Sequence, residues 1–266
     1  MRFALSVVLA LAFTPSTSLA CGPDSDCEIG ARHYRIAMPE AQTGTVGAIV
    51  FAHGYRGSAR GVMRNMGLRR MVAEMGLALI APKSARDDWD IPGAPSDMAS
   101  TGAAEMAYFE AVIADATARF GIDPDRVMMS GFSAGGMVTW ELACQRPDLF
   151  AGFAAVSGTF WGGPPASCVS PASVIHIHGT TDRTVPLAGR PIGPTKQGDV
   201  SDVLAMYRAA GAFGTQTTVQ VNNMSCARQD NSGGNILEFC TFDGGHSFSR
   251  SYLSYAWERL RAAGKV

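Results

Sequence analysis

The sequence predicts a single α/β domain, with a mostly parallel central sheet flanked by helices. Three observations predict it. Apolar strand-like runs alternate with helix-like runs from about residue 30 onward, and that alternation builds a parallel sheet covered on both faces. No linker, repeat or low-complexity stretch divides the chain. With 266 residues and 47% apolar content, one large core can be buried.

The elements follow in order. His33–Met38 and Val46–Ala52 read as strands, and a helical stretch runs from about Ala59 to Met75. Leu77–Ile80 is a short buried strand that ends at Ala81-Pro82. Residues 83–100, rich in Asp, Pro and Gly, predict a long irregular loop. Gly102 to Phe120 is helical, closed by Gly121-Ile122-Asp123-Pro124. Arg126–Met129 leads through Gly131-Phe132-Ser133-Ala134-Gly135-Gly136 into a helix that stops near Arg146-Pro147. Phe153–Val156, Val174–His178 and Ile236–Phe242 continue as strands, and Asp199–Ala210 and Ser251–Ala262 as helices.

The strand–turn–helix setting of Gly131–Gly136 is the one in which G-x-S-x-G exposes a nucleophilic serine. The turn forces strained dihedrals on Ser133 and leaves no room for side chains two positions away. It also leaves the Ala134 N–H at a helix start, able to hold an oxyanion. A serine hydroxyl needs a base within hydrogen-bond reach, and that base needs an orienting acid. In this strand order the acid and then the histidine follow the serine, each at the end of a strand. His246 qualifies as the base, in Asp243-Gly244-Gly245-His246 just after Ile236–Phe242. Asp182 qualifies as the acid, shortly after Val174–His178, with Asp243 as its main rival.

His53-Gly54-Tyr55 follows the strand Val46–Ala52, where the second oxyanion donor is expected from the Tyr55 N–H. His53, His176 and His178 are expected to be core or loop-anchoring residues. His176 and His178 have the i, i+2 spacing of a metal pair, but no carboxylate stands at ligand spacing from them. Trp89 and Trp161 are expected to flank the serine as an apolar acyl or alcohol pocket.

Charged residues make up only 17% of the chain and the formal net charge is −1. With no basic stripe, nucleic acid and anionic membrane surfaces are not expected partners. At the N-terminus, Arg2 precedes the apolar stretch Phe3–Phe13, which is too short to span a bilayer. Small residues at Ser18 and Ala20 complete the pattern of a secretory signal over 1–20, leaving 21–266 as the mature domain. The expected location is outside the cell or in the periplasm. A lipid anchor on Cys21 is the alternative reading of the same segment.

The six cysteines, Cys21, Cys27, Cys144, Cys168, Cys226 and Cys240, make an even set, as export requires of disulfide partners. Chain order suggests that neighbours pair: 21 with 27, 144 with 168, 226 with 240. For the last pair, Asn231–Asn235 reads as a turn between Thr217–Val221 and Ile236–Cys240, midway between the two cysteines. No C-x-x-C pair exists, so a cysteine-built zinc site is not expected.

Taken together, His53-Gly54, Gly131–Met137, His178–Pro186 and Gly244–Ser247 resemble the secreted esterase/polyhydroxybutyrate depolymerase family, close to feruloyl and acetylxylan esterases. Tyr34–Pro39 is similar as well. The resemblance implies an α/β-hydrolase fold and hydrolysis of small-molecule or oligomeric carboxylic esters without a cofactor or metal. It carries Ser133, Asp182 and His246 over as the catalytic residues. The chain departs from the family pattern at Tyr55-Arg56, where a cysteine often stands, and at Asp87-Asp88-Trp89-Asp90. A feruloyl- or acetylxylan-type polysaccharide esterase is the alternative substrate reading. A peptidase and a catalytically silent binding protein are the remaining ones.

Overall fold

The structure is a computed structural model that describes residues 21–40 and 43–266. The expected signal segment, 1–20, lies outside the described residues. The chain begins with two antiparallel strands, β1 (Cys27–Ile29) and β2 (Arg32–Ala37), followed by β3 (Val46–Ala52). Two helices come next, α1 (Ala59–Arg64) and α2 (Met66–Glu74), then β4 (Ala78–Pro82) and α3 (Ala103–Phe120). β5 (Ile122–Phe132) runs directly into α4 (Ala134–Gln145), and β6 (Gly152–Val156) and β7 (Val174–Gly179) follow. A small ribbon, β8 (Arg190–Ile192) with β9 (Thr195–Gln197), precedes α5 (Val200–Ala210). The chain closes with β10 (Thr217–Val221), β11 (Met224–Asp230), β12 (Ile236–Phe242) and α6 (Ser251–Ala262).

Ten strands form one sheet in the order β1-β2-β4-β3-β5-β6-β7-β12-β11-β10. The central run from β4 to β12 is parallel, and the pairs at both margins are antiparallel. Central strands buried on both faces need apolar residues at every position, and β3, β4, β6 and β7 are buried throughout. One face carries α3, α4 and α5 through Phe109, Val138, Trp140 and Tyr207. The other carries α1, α2 and α6 through Met63, Leu68, Val72 and Trp257.

Three details differ from the sequence expectation. The helix expected over Ala59–Met75 is broken at Asn65, whose side chain accepts the Leu68 N–H and caps a second helix. The strand that faces Ile236–Cys240 across the Asn231–Asn235 turn is β11, not Thr217–Val221, which pairs with β11 from the far side. The β8–β9 ribbon is too short and polar to be read from periodicity.

The three disulfides join Cys21 to Cys27, Cys144 to Cys168 and Cys226 to Cys240, with Cα separations of 5.0, 4.5 and 4.0 Å. Cys226 and Cys240 lie directly opposite each other on β11 and β12. The Cys21 sulfur is bonded to Cys27, so it has no valence left for a lipid thioether. Cys144–Cys168 ties the end of α4 to the loop between β6 and β7, the loop that carries Trp161. No helix among the described residues is long and apolar enough to cross a membrane.

Candidate active site

Ser133 sits between the last residue of β5 and the first of α4, at φ 60° and ψ −121°. A non-glycine residue at positive φ is costly and persists only where the surroundings enforce it. Here the Ser133 N–H donates to Val156 O at 2.9 Å and its carbonyl accepts the Met137 N–H at 3.0 Å, locking the turn from both sides. Close approach explains the flanking glycines. A side chain at Gly131 would collide with the Gly135 carbonyl, and one at Gly135 with the Ala52 carbonyl. As the first residue of α4, Ala134 has an N–H with no partner inside the helix.

Asp182 and His246 meet at the ends of two adjacent strands. Asp182 is buried, and its Oδ2 accepts the His246 Nδ1–H at 2.7 Å. Its Oδ1 accepts the backbone N–H groups of Thr184 and Val185 at 2.8 and 2.9 Å. The two loops are also joined through their backbones, Thr180 N–H to Phe242 O at 3.0 Å and Thr181 N–H to Gly244 O at 3.0 Å. Gly179 permits this contact, because a Cβ there would run into the Gly244 and Gly245 carbonyls. The His246 ring packs on Phe132, the neighbour of Ser133, with centroids 4.6 Å apart. Among the described residues no hydrogen bond links Ser133 to His246. Such contacts often tighten only when substrate binds. Among the described residues Asp243, the rival acid, makes no hydrogen bond or ion pair with His246, whereas Asp182 holds its ring nitrogen.

Behind the acid lies a row of buried donors. Val185 O accepts from His178 Nε2 at 2.8 Å, which places the proton on that nitrogen. His178 Nδ1 is therefore an acceptor, and it takes the His176 Nε2–H at 2.9 Å. His176 Nδ1 in turn accepts the Trp140 indole N–H at 3.2 Å. Burial, as the leading cause, holds both imidazoles below their ordinary range and keeps them neutral. A carboxylate does stand close by, contrary to the sequence expectation: Asp182 Oδ2 is 3.4 Å from His178 Nε2. With the two histidines bonded to each other, the pair is a structural relay rather than a metal chelate.

The loop after β3 faces the serine. A Cβ at Gly54 would lie 3.5 Å from Ser133 Cβ and 4.0 Å from its Oγ, so the backbone just before Tyr55 passes close to the serine. The loop is fixed by Arg56 N–H to Asp87 O at 2.7 Å and Gly57 N–H to Gly54 O at 2.9 Å. His53 is buried, as expected of an anchor: its Nδ1 donates to Gly54 O at 2.8 Å and its Nε2 accepts the Ser84 N–H at 3.3 Å. Burial lowers its pKa to about 4, and with both ring nitrogens bonded to backbone groups it acts as an anchor.

A cavity of about 520 Å³ opens over Ser133, walled by Tyr55, Ala134, Trp161, Arg190 and Gln197 among others. Trp89 is not part of it. Its side chain is fully buried, its indole N–H donates to His53 O at 2.8 Å, and its ring packs on His53 and Phe109. Trp89 therefore buttresses the Tyr55 loop instead of lining a pocket. Its place in an irregular polar loop disguises that burial. Trp161 does line the cavity. Among the lining residues that sequence missed are Arg190 and Gln197, for which no motif or periodicity gave a signal.

One candidate metal arrangement can be set aside on donor chemistry. Cys226, Glu238 and Cys240 lie together, but both sulfurs are spent in a disulfide. Glu238 is instead neutralised by Arg228, Arg259 and a short contact with the Tyr255 hydroxyl.

The sheet order and the residues gathered at its strand ends define an α/β-hydrolase. The phospholipase/carboxylesterase family profile matches residues 89–191, the stretch that holds Ser133 and Asp182. The esterase NocK of Nocardia uniformis subsp. tsuyamanensis is 30% identical over 256 residues, covering 84% of this chain and 72% of that protein. Feruloyl esterase C of Aspergillus clavatus is 24% identical, over 91% of this chain and 89% of its own. The chain belongs to the carboxylesterase family of α/β hydrolases and is a carboxylic-ester hydrolase. Among solved structures, an acetyl xylan esterase from Aspergillus awamori shares the fold at a TM-score of 0.66 and 15% identity, covering 92% of this chain and 97% of its own. A Bacillus cereus carboxylesterase does so at 0.57 and 12%, covering 88% and 95%.

Proposed function

We propose that the protein is an exported serine esterase that works through Ser133, His246 and Asp182 by two-step acyl transfer, on esters like those of hydroxyalkanoate oligomers. The observation that carries this reading is the strained Ser133 at a strand–helix turn, next to a histidine whose Nδ1–H is held at 2.7 Å by a buried carboxylate. His246 Nε2 takes the Ser133 proton as Oγ bonds to the ester carbonyl carbon. The N–H groups of Tyr55 and Ala134 receive the developing oxyanion. His246 then gives its proton to the leaving alcohol and later takes one from the water that releases the acid. Export is supported by the N-terminal segment and by three disulfides, which persist in oxidising compartments.

The relatives' names favour a second substrate reading, feruloyl or acetyl esters of plant polysaccharide. Hydrolysis of a short aryl ester by wild type and Ser133→Ala tests the mechanism. Activity surviving in a folded Ser133→Ala protein refutes it. A panel running from hydroxybutyrate oligomers to feruloyl and acetylxylan esters then separates the two substrate classes.

A further inference from the structure

The cavity over Ser133 has one cation in its wall, Arg190, and one carboxyl, Asp88. Arg190 opens β8, and its Nε donates to Thr184 O at 2.9 Å and to Gln197 Oε1 at 3.2 Å. Gln197 is itself buried. The ribbon that bears both residues is bolted to the loop after β6: Gly162 N–H donates to Lys196 O at 2.7 Å, Gly198 N–H donates to Phe160 O at 2.8 Å, and Trp161 bridges to Gln197. The root of the guanidinium is thus fixed. Its terminal nitrogens have no acceptor among the described residues, and it makes no ion pair there.

A planar guanidinium held at Nε offers a fork of donors that matches a carboxylate in two parallel bonds. Trp161 lines the same cavity with its ring, while its indole nitrogen is buried away from solvent. The terminal N–H groups of Arg190 therefore make this wall complementary to an acceptor-only group. Asp88 lies in the same cavity, with its Oδ1 accepting the Trp89 N–H at 2.9 Å. Burial pushes the pKa of that carboxyl upward.

We infer that the ester hydrolysed here carries a carboxylate, gripped by the Arg190 guanidinium on the wall of the Ser133 cavity. This rests on the serine-esterase reading. It narrows the substrate to hydroxy-acid esters with a free acid end, as in short hydroxyalkanoate oligomers, and away from neutral acetyl esters. Hydrolysis adds water across the internal ester, giving one hydroxy acid from each side.

The test compares the linear dimer of 3-hydroxybutyrate, free acid, with the same dimer capped as its methyl ester. Chromatography follows cleavage of the internal ester. Wild type should prefer the free acid, and Arg190→Gln should lower the ratio of the two kcat/KM values by about 10- to 100-fold, chiefly through KM, as loss of a charge-assisted bond does. Arg190→Lys should restore part of the ratio. As a second readout, 3-hydroxybutyrate should inhibit aryl-ester hydrolysis by wild type more strongly than by Arg190→Gln. A ratio near one in wild type, or an unchanged ratio in folded Arg190→Gln, overturns the inference. Aryl-ester activity with neither dimer cleaved overturns it while leaving the esterase intact. A folded wild type inert on every ester removes both.

Discussion

Replacing Asp182 by Asn tests the proposed acid with little damage to the fold. The Asp182 carboxylate serves three donors: Thr184 and Val185 N–H on Oδ1 and His246 Nδ1–H on Oδ2. An amide has one oxygen and one NH2 group. Only one orientation avoids aiming that NH2 at two backbone N–H groups, so the oxygen stays with Thr184 and Val185. The NH2 then faces His246 and requires a lone pair on Nδ1. The ring proton moves to Nε2, the nitrogen that must be bare to accept from Ser133. General-base assistance is worth about 10²–10⁴ in rate, and the wrong tautomer in a triad lowers kcat by about 10⁴. The expected loss for Asp182→Asn is therefore about 10³- to 10⁴-fold in kcat on a short aryl ester, or about 4–5.5 kcal/mol of transition-state stabilisation. Both backbone donors keep an acceptor, so circular dichroism and Tm should change little. A folded variant with more than a tenth of wild-type kcat refutes the assignment. A large loss in Asp243→Asn instead would transfer the role to that residue.

Other consequences are equally open to measurement. Glu141 is buried in α4 with Gln145 as its hydrogen-bond partner, and burial pushes its pKa up from 4.5 to about 7. A carboxyl with a raised folded pKa contributes fully below pH 4.5, and that contribution is lost as pH rises to 7, by about 3 kcal/mol. Glu141→Gln should then raise Tm on the order of 5–10 °C at pH 8 and far less at pH 4.5; an equal gain at both values contradicts the reasoning. Trp89→Phe keeps the ring packing but strips the donor from the buried His53 carbonyl, at about 1–3 kcal/mol. Its Tm should fall while preference among ester chain lengths stays put, and a changed preference would return Trp89 to the cavity wall. Trp161→Ala should shift that chain-length preference, read as relative kcat/KM across aryl esters of increasing acyl length.

Much of this was legible in the sequence because the relevant chemistry sits at strand ends. Ser133, Asp182 and His246 each follow a predicted strand, and the glycines around them mark where backbones approach too closely for side chains. The cysteine pairing was legible for a similar local reason, since Cys226 and Cys240 straddle a turn of Asn, Ser and Gly. Trp89 was not, because burial of an aromatic in an aperiodic loop depends on what that loop folds against. Arg190 was hidden for the opposite reason: two three-residue strands of mixed polarity carry no periodic signal. The break at Asn65 depends on a side-chain cap, which hydrophobic spacing does not register.

The row from Trp140 through His176 to His178 has a mechanical consequence. Trp140 belongs to the helix that starts at Ser133, and His178 steadies the loop that carries Asp182. The proposed nucleophile and acid thus share a common internal gauge in the core. Each link has a fixed polarity, set at one end by an indole that only donates and at the other by a carbonyl that only accepts. A second proton on either ring would set two N–H groups against each other, so the row resists acid by geometry as well as by burial. Alignment across the site is therefore referenced to the core, and loops on the cavity rim are free to vary in sequence without detuning it.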